Sequence, residues 1–241
     1  MSDLLLLLNE ERGFLGARGI INTHVGPVDA TDARFGDVLQ AGGQRFVVVR
    51  PTFMDLLQSC RRGAQIVTPK DAAQVVAVTG AGRGWRCVDG GAGSGFLALF
   101  LGHVVGPEGR VTTYEQQERF YRIAARNAVR CGLEEVVEVK QADIASFTED
   151  HLDLVTLDVK GAELLVDKVR RHLKPGGWLV VYSPHVEQQI GARAAMQEAG
   201  FTGITTLETM QREWRSLGGF TRPQSKGLLH TGFLTLGRKV F

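Results

Sequence analysis

The run "VDGGAGSGFLALFLG" places Gly91, Gly93 and Gly95 directly after an apolar stretch and before a helical pattern. Between a strand and a helix, glycines accept positive φ and let a ligand touch the backbone, while the first N–H groups of the helix are free to meet it. The order differs from the dinucleotide fingerprint, since Phe96 stands where that pattern has its third glycine; "DxGxGxG", from Asp89 to Gly95, describes it better. Three acids occupy related places. Glu115 ends the next apolar run, 24 positions after Gly91, close to the offset at which a carboxylate reaches a ribose diol from the adjoining strand tip. Asp143 closes "KQAD" and Asp158 closes "TLD". Taken singly, the loop reads equally as a tight turn and each acid as a helix cap near a positive dipole end. Together they converge on the crevice where open α/β sheets bind ligands.

The elements that must position these residues follow from periodicity. Up to about Val67, short apolar runs (Leu4–Leu8, Ile20–Ile21, "RFVVVR") alternate with turn-rich segments, which predicts a small β domain over 1–66. From 67 to 241, apolar β-formers alternate with helical patterns at 95–105, 116–131, 161–173 and 186–199. That alternation predicts a parallel sheet covered by helices on both faces. At the end, "GITTLETMQREW" and "GLLHTGFLTLGRKV" have no helical pattern between them and are expected to pair antiparallel at the sheet edge.

Composition sets few further limits. The 241 residues, 44% hydrophobic and 22% charged, suffice for a substantial core, and a net charge of +2 neither requires nor excludes an anionic partner. Cys60, Cys87 and Cys131 are odd in number and show no CxxC pair, as expected of a reducing cytoplasm. "LLLLL" is far shorter than a membrane span and runs into "NEER", so it reads as a buried strand and no membrane role is expected. Metal-ligand spacing and a Ser or Cys nucleophile context are both missing, so no metal is expected.

The glycine loop with its following acids resembles motif I and the strand tips of class I S-adenosylmethionine-dependent methyltransferases. Over nearly the whole chain, the segments "RPTFMDLLQSCRRGAQIVTPKDAAQVV", "GPEGRVTTYEQQERFYRIAARN", "LDLVTLDV", "LKPGGWLVVYSPHVEQ" and "HTGFLTLGRK" resemble the tRNA adenine N1-methyltransferases that act at position 58 of the T-loop. The resemblance implies a Rossmann-like methyltransferase sheet preceded by a small β domain. It also implies S-adenosylmethionine as cofactor, tRNA as substrate, and usually a homotetramer. Carried over by position, Gly91, Gly93, Ser94 and Gly95 fall in the cofactor loop, Glu115 is the ribose acid, Asp143 the adenine acid, Gln65 the glutamine near cofactor and base, and Asp158 the catalytic aspartate facing the target base and bordering the cofactor.

Methyl transfer to a ring nitrogen needs alignment, a dry pocket and accommodation of a growing positive charge, which Asp158 would face. The target base must leave its stack. Lys160 and Arg222 are candidate substrate contacts, with Arg61, Arg62, Lys70 and Lys226 as weaker backbone candidates, each of which reads first as a solvated surface charge; His230 reads first as structural, its ring tied near the sheet end, and second as a substrate contact. The chain departs from the family where Val159, Lys160, Gly161 and Ala162 replace a proline-rich run after the aspartate, where Thr68 replaces an aromatic residue and where Ala98 replaces a hydroxyl residue. Two alternatives stay open: methylation of another RNA site or of a small molecule on the same fold, and a noncatalytic RNA-binding subunit.

Overall fold

Leu5, Leu6 and Leu7 are buried in succession, so the leucine run forms an inner strand. In the computed structural model, which describes residues 4–63, 65–224, 227 and 230–241, the chain divides into two units. The first runs up to residue 61 and includes residues 130–132. Its strands are β1 (Leu4–Leu8), β2 (Gly13–Ala17), β3 (Ile20–Thr23), β4 (Gly26–Asp29), β5 (Val38–Ala41) and β6 (Gln44–Val49). An antiparallel sheet of order β2-β1-β6-β5 aligns Leu6 with Leu15 and Leu7 with Val48, and β3 pairs with β4 as a separate hairpin. Leu5, Leu7, Ile21, Val28, Phe46 and Val48 form the core of this unit. Helix α1 (Phe53–Gln58) starts at a capping box in which Thr52 Oγ1 accepts from the Asp55 amide and the Asp55 carboxylate accepts from the Thr52 amide.

The second unit, residues 62–129 and 133–241, holds α2 (Pro69–Thr79), β7 (Arg86–Gly90), α3 (Phe96–Val105), β8 (Arg110–Tyr114), α4 (Glu118–Cys131) except its last two residues, and β9 (Val137–Lys140). It continues with β10 (Leu152–Leu157), α5 (Val166–His172), β11 (Leu173–Ser183), α6 (Val186–Glu198), β12 (Thr202–Glu208), β13 (Trp214–Leu217), β14 (Phe220–Pro223) and β15 (Phe233–Arg238). The seven-stranded sheet has the order β12-β15-β11-β10-β7-β8-β9. Strands β7 to β11 pair in parallel, and β15 runs antiparallel to both β11 and β12. All six residues of β10 are buried, as a strand covered on both faces requires. Val155 and Leu157 share a core cluster with Val166 and Val169 of α5 and with Ala192 and Met196 of α6, while α2 and α3 pack on each other.

Two expectations are refined. The pattern at 161–173 forms a single 3₁₀ turn, Ala162–Leu165, followed by the short α5. Pairing of the last two long strands holds, but β15 enters between β11 and β12, so only β12 lies at the edge. The connection between them carries its own hairpin, β13–β14, which takes Trp214 from the end of the "GITTLETMQREW" run. Leu217 pairs with Phe220 across Gly218 and Gly219, both at positive φ, the signature of a type I′ turn. Trp214, Leu217 and Phe220 are exposed, so this ribbon has no buried face from which periodicity could reveal it.

Candidate functional site at the strand tips

Backbone hydrogen bonds lock the ends of four strands, β7 to β10, together. The Gly91 and Ala92 amides donate to the Tyr114 carbonyl at 3.0 and 2.9 Å, the Asp158 amide donates to the Gly90 carbonyl at 2.8 Å, and the Glu115 amide donates to the Lys140 carbonyl at 3.0 Å. Gly91, Gly93 and Gly95 have φ of 93°, 53° and 84°, where a side chain is strained, and Gly95 caps α3. A Cβ at Gly91 would collide with the Asp158 carbonyl. Close approach of two strand tips therefore depends on that glycine.

Asp89 sits beneath the loop and is buried; its two carboxylate oxygens accept from Thr156 Oγ1 at 2.6 Å and Thr113 Oγ1 at 2.7 Å. It ties β7 to both neighbouring strands. Burial raises its pKa against the pull of the two threonines. Glu115 is also buried, and it accepts from the Gly93 amide at 2.8 Å and the Gln117 amide at 2.9 Å. The carboxylate thus fixes the loop from below and keeps further lone pairs, since each oxygen carries two.

Three neighbouring cavities share Asp158. The largest, about 530 Å³, is lined by Gln65, Gly91, Gly93, Glu115, Gln117, Phe120 and Ile144 among others. A second, of about 110 Å³, lies between the 158–163 loop and the end of β11, with Lys160, Tyr182, Ser183, Pro184 and Gln188 in its walls. A small gap of about 10 Å³ runs behind the glycine loop past Asp89 and Ser94. Burial, and then the neighbouring Asp89 charge, push the Asp158 carboxyl up to about 7. It is therefore poised to gain or lose a proton near neutrality.

The other candidates are placed as follows. Gln65 is exposed and borders both the largest cavity and the small gap. Asp143 is exposed and caps the 3₁₀ turn Ile144–Ser146 through the Ala145 amide; its neighbours Ala142 and Ile144 line the largest cavity. Ser94 points away from that cavity, its hydroxyl accepting from the Gly63 amide at 2.8 Å. Lys160 is exposed and borders the two larger cavities. Arg222 is exposed on β14. His230 is held at both ring nitrogens, Nε2 by the Pro184 carbonyl at 3.0 Å and Nδ1 by Glu208 at 2.6 Å, and these partners raise its pKa. Its ring braces the wall that Pro184 forms.

Lys70 corrects the expectation of a backbone-contacting surface base: its ammonium is buried on Asp71, Thr231 and the Thr209 carbonyl. Arg62 lies over the Phe96 ring, Arg61 is exposed, and Lys226 lies outside the described residues. Gln117 and Phe120 were missed, although their place just after Glu115, at the opening of the next helix, marks them as neighbours of any ligand there. Among the described residues no group of three His, Cys, Asp or Glu side chains is arranged to hold a metal, and no helix is long and apolar enough to cross a membrane.

A parallel sheet with its penultimate strand reversed, a glycine loop at the first strand tip and an acid at the second define the Rossmann-like methyltransferase fold. The chain belongs to the tRNA methyltransferase family described as "tRNA methyltransferase complex GCD14 subunit", whose profile matches residues 47–219. It is 29% identical to the tRNA (adenine(57)-N(1)/adenine(58)-N(1))-methyltransferase TrmI of Methanocaldococcus jannaschii, over 96% of this chain and 94% of the relative. It is 30% identical to the tRNA (adenine(58)-N(1))-methyltransferase TrmI of Thermus thermophilus, over 97% of this chain and 96% of the relative. A crystal structure of a SAM-dependent O-methyltransferase from Thermotoga maritima superposes with a TM-score of 0.88 at 29% identity, covering 99% of this chain and 93% of that one.

Proposed function

We propose that the chain methylates N1 of adenine 58 in the T-loop of tRNA, using S-adenosylmethionine. The observation that carries this is the position of Asp158 on the wall between two cavities, one bounded by the glycine loop and Glu115, the other by the 158–163 loop and the end of β11. The larger cavity fits the cofactor: a buried carboxylate suited to a diol stands beside backbone that no side chain crowds. When bound there, S-adenosylmethionine supplies a methyl group activated on a sulfonium.

The chain's own residues do the rest. Glu115 binds the ribose and Asp143 and Gln65 close the site around the cofactor. Asp158, as carboxylate, accepts from the exocyclic amine of the flipped base and stabilises the positive charge that grows as N1 is alkylated. Adenine N1 is nucleophilic without deprotonation, so Asp158 orients and neutralises charge and need not remove a proton before attack. Lys160 at the cavity rim and Arg222 on the exposed ribbon are placed to meet phosphates.

Incubating unmodified tRNA with labelled S-adenosylmethionine and mapping the methyl group by mass spectrometry tests the reaction. 1-Methyladenine at position 58 is expected; label at a position outside the T-loop, or none, overturns the proposal. The Methanocaldococcus relative is named for both adenines 57 and 58, and the same digest distinguishes them.

Cofactor binding has its own test. Glu115→Gln keeps the length of the side chain but removes its charge, and it turns one of two accepting oxygens into a donor facing the Gly93 or the Gln117 amide. Hydrogen bonds to charged groups contribute about 1.5–3 kcal/mol, so affinity for S-adenosylhomocysteine, measured by calorimetry, is expected to fall roughly ten- to a hundredfold. Unchanged affinity would remove Glu115 from the ribose site.

A homotetramer in the cytoplasm completes the proposal. The β13–β14 ribbon, with Trp214, Leu217 and Phe220 exposed, offers apolar surface to another copy, and the three cysteines are free thiols. Light scattering is expected to give four chains per particle; a monomer at micromolar concentration rejects the assembly.

A further inference from the structure

We infer that Gln188 is a specificity-determining residue, its side-chain carbonyl accepting one N–H of the target base's exocyclic amine while Asp158 accepts the other. The inference rests on the reading of the 110 Å³ cavity as the base pocket. Gln188 is the third residue of α6 and lines that cavity together with Asp158, Tyr182 and Ser183. Its Oε1 is buried and has no hydrogen-bond partner among the described residues. The adjacent Gln189, by contrast, already accepts from Thr206 Oγ1 at 3.0 Å.

A buried amide oxygen left without a donor is costly, and native proteins rarely keep one without a role. The Tyr182 hydroxyl, in the same wall, is not its donor. Tyr182 gives its hydroxyl hydrogen to the Thr231 carbonyl at 2.5 Å, and that contact, with the His230 ring on the Pro184 carbonyl, holds the wall in place from behind. Gln188 and Asp158 thus line one cavity, each with acceptor oxygens that a donor entering there could claim.

A six-amino purine carries two N–H donors on one nitrogen and satisfies both. A six-oxo purine such as guanine or hypoxanthine brings a carbonyl oxygen against two acceptors and leaves all three groups unpaired. A purine with only hydrogen at that position satisfies neither. Alkylation at N1 makes the amine a stronger donor, so the pair of acceptors also favours the charged product side of the reaction. Sites built to bond a substrate N–H reject analogues lacking it far more strongly than apolar pockets reject a missing methylene.

The experiment measures kcat/KM for tRNA transcripts carrying adenine or unsubstituted purine at position 58, with the wild type, Gln188→Met and Gln188→Glu. Met keeps the volume and removes the acceptor, while Glu keeps an acceptor oxygen. The expected result is a preference for adenine over purine that falls at least tenfold in Gln188→Met and is largely retained in Gln188→Glu, with affinity for S-adenosylhomocysteine unchanged in both. Equal loss on both bases in Gln188→Met, leaving the preference within twofold of wild type, overturns the inference and makes Gln188 a structural residue. A wild-type protein that leaves the adenine transcript unmethylated overturns the functional reading itself, a result distinct from loss of discrimination.

Discussion

Replacing Asp158 by alanine is expected to lower single-turnover methylation of tRNA by a hundredfold or more while S-adenosylhomocysteine binds with nearly wild-type affinity. The residue follows a wholly buried strand and its amide is held by the Gly90 carbonyl, so its backbone is fixed before substrate arrives. An electrostatic partner of this kind acts mainly where charge develops, and losing one costs on the order of 10² to 10³ in rate. A variant that methylates at close to the normal rate would disprove the assignment.

The same carboxyl gives the reaction a pH signature. With its pKa up at about 7, the free enzyme loses the active carboxylate below neutrality, so kcat/KM should rise with pH and level off above about 7. Asp158→Asn should abolish that limb. The stability effect has the opposite sign to that of an ordinary native aspartate. A folded-state pKa raised from 3.8 to about 7 means that the fold binds a proton more tightly than the unfolded chain. The penalty is absent below about pH 4, grows through the interval and is complete above pH 7, where it approaches roughly 4 kcal/mol as an upper figure. Asp158→Asn should therefore melt several degrees above wild type at pH 8 and show little difference at pH 4, as followed by circular dichroism. A site that is unstable in its working state is the usual companion of activity.

How much of this could be read from the sequence depended on whether a residue's neighbours lie close along the chain. The glycine loop, Glu115 and Asp158 were legible because strand ends are marked by local pattern, and a parallel sheet brings those ends to one edge. The "LVTL" of β10, with three apolar residues and a threonine, fits a strand covered on both faces. The tie expected of the His230 ring near the sheet end is present, but an isolated hydroxyl or imidazole gives no sign of which backbone group will claim it, so the partners of Ser94 and His230 were not legible. Ser94 is claimed by Gly63, 31 positions away, and His230 by Pro184, 46 positions away. Gln188 and Gln189 are indistinguishable as text, and only the cavity wall separates them. The β13–β14 hairpin did carry a local signal, Gly218–Gly219 between strand-forming residues, but no alternation accompanied it because both its faces are exposed.

Lys70 is the clearest case of a residue whose role only the fold reveals, and disturbing its partner should produce the largest loss of stability. Its ammonium donates to Asp71 Oδ1 at 2.6 Å, to the Thr209 carbonyl at 2.6 Å and to Thr231 Oγ1 at 2.7 Å. Asp71 is fully buried and its other oxygen accepts from the Thr68 and Thr231 hydroxyls, each at 2.8 Å. Every polar atom of the cluster is matched, so it joins the first turn of α2 to the segments flanking β12 and β15. Asp71→Ala leaves a buried ammonium facing only neutral oxygens. Removing one member of a buried ion pair typically costs about 3–5 kcal/mol, which for a protein of this size corresponds to a fall in melting temperature of roughly 10 °C. The paired change Lys70→Met with Asp71→Leu removes both charges and is expected to recover most of the loss, since apolar replacements of a buried pair are often neutral or stabilising. Thermal unfolding of Lys70→Met, Asp71→Leu and the double variant carrying both forms a cycle that isolates the coupling. Thr231 also accepts the Tyr182 hydroxyl through its carbonyl, so Asp71→Ala should raise KM for tRNA at temperatures well below its own melting point. A melting temperature within 2 °C of wild type would show that water replaces the lost carboxylate and that the cluster is not the clamp its geometry implies.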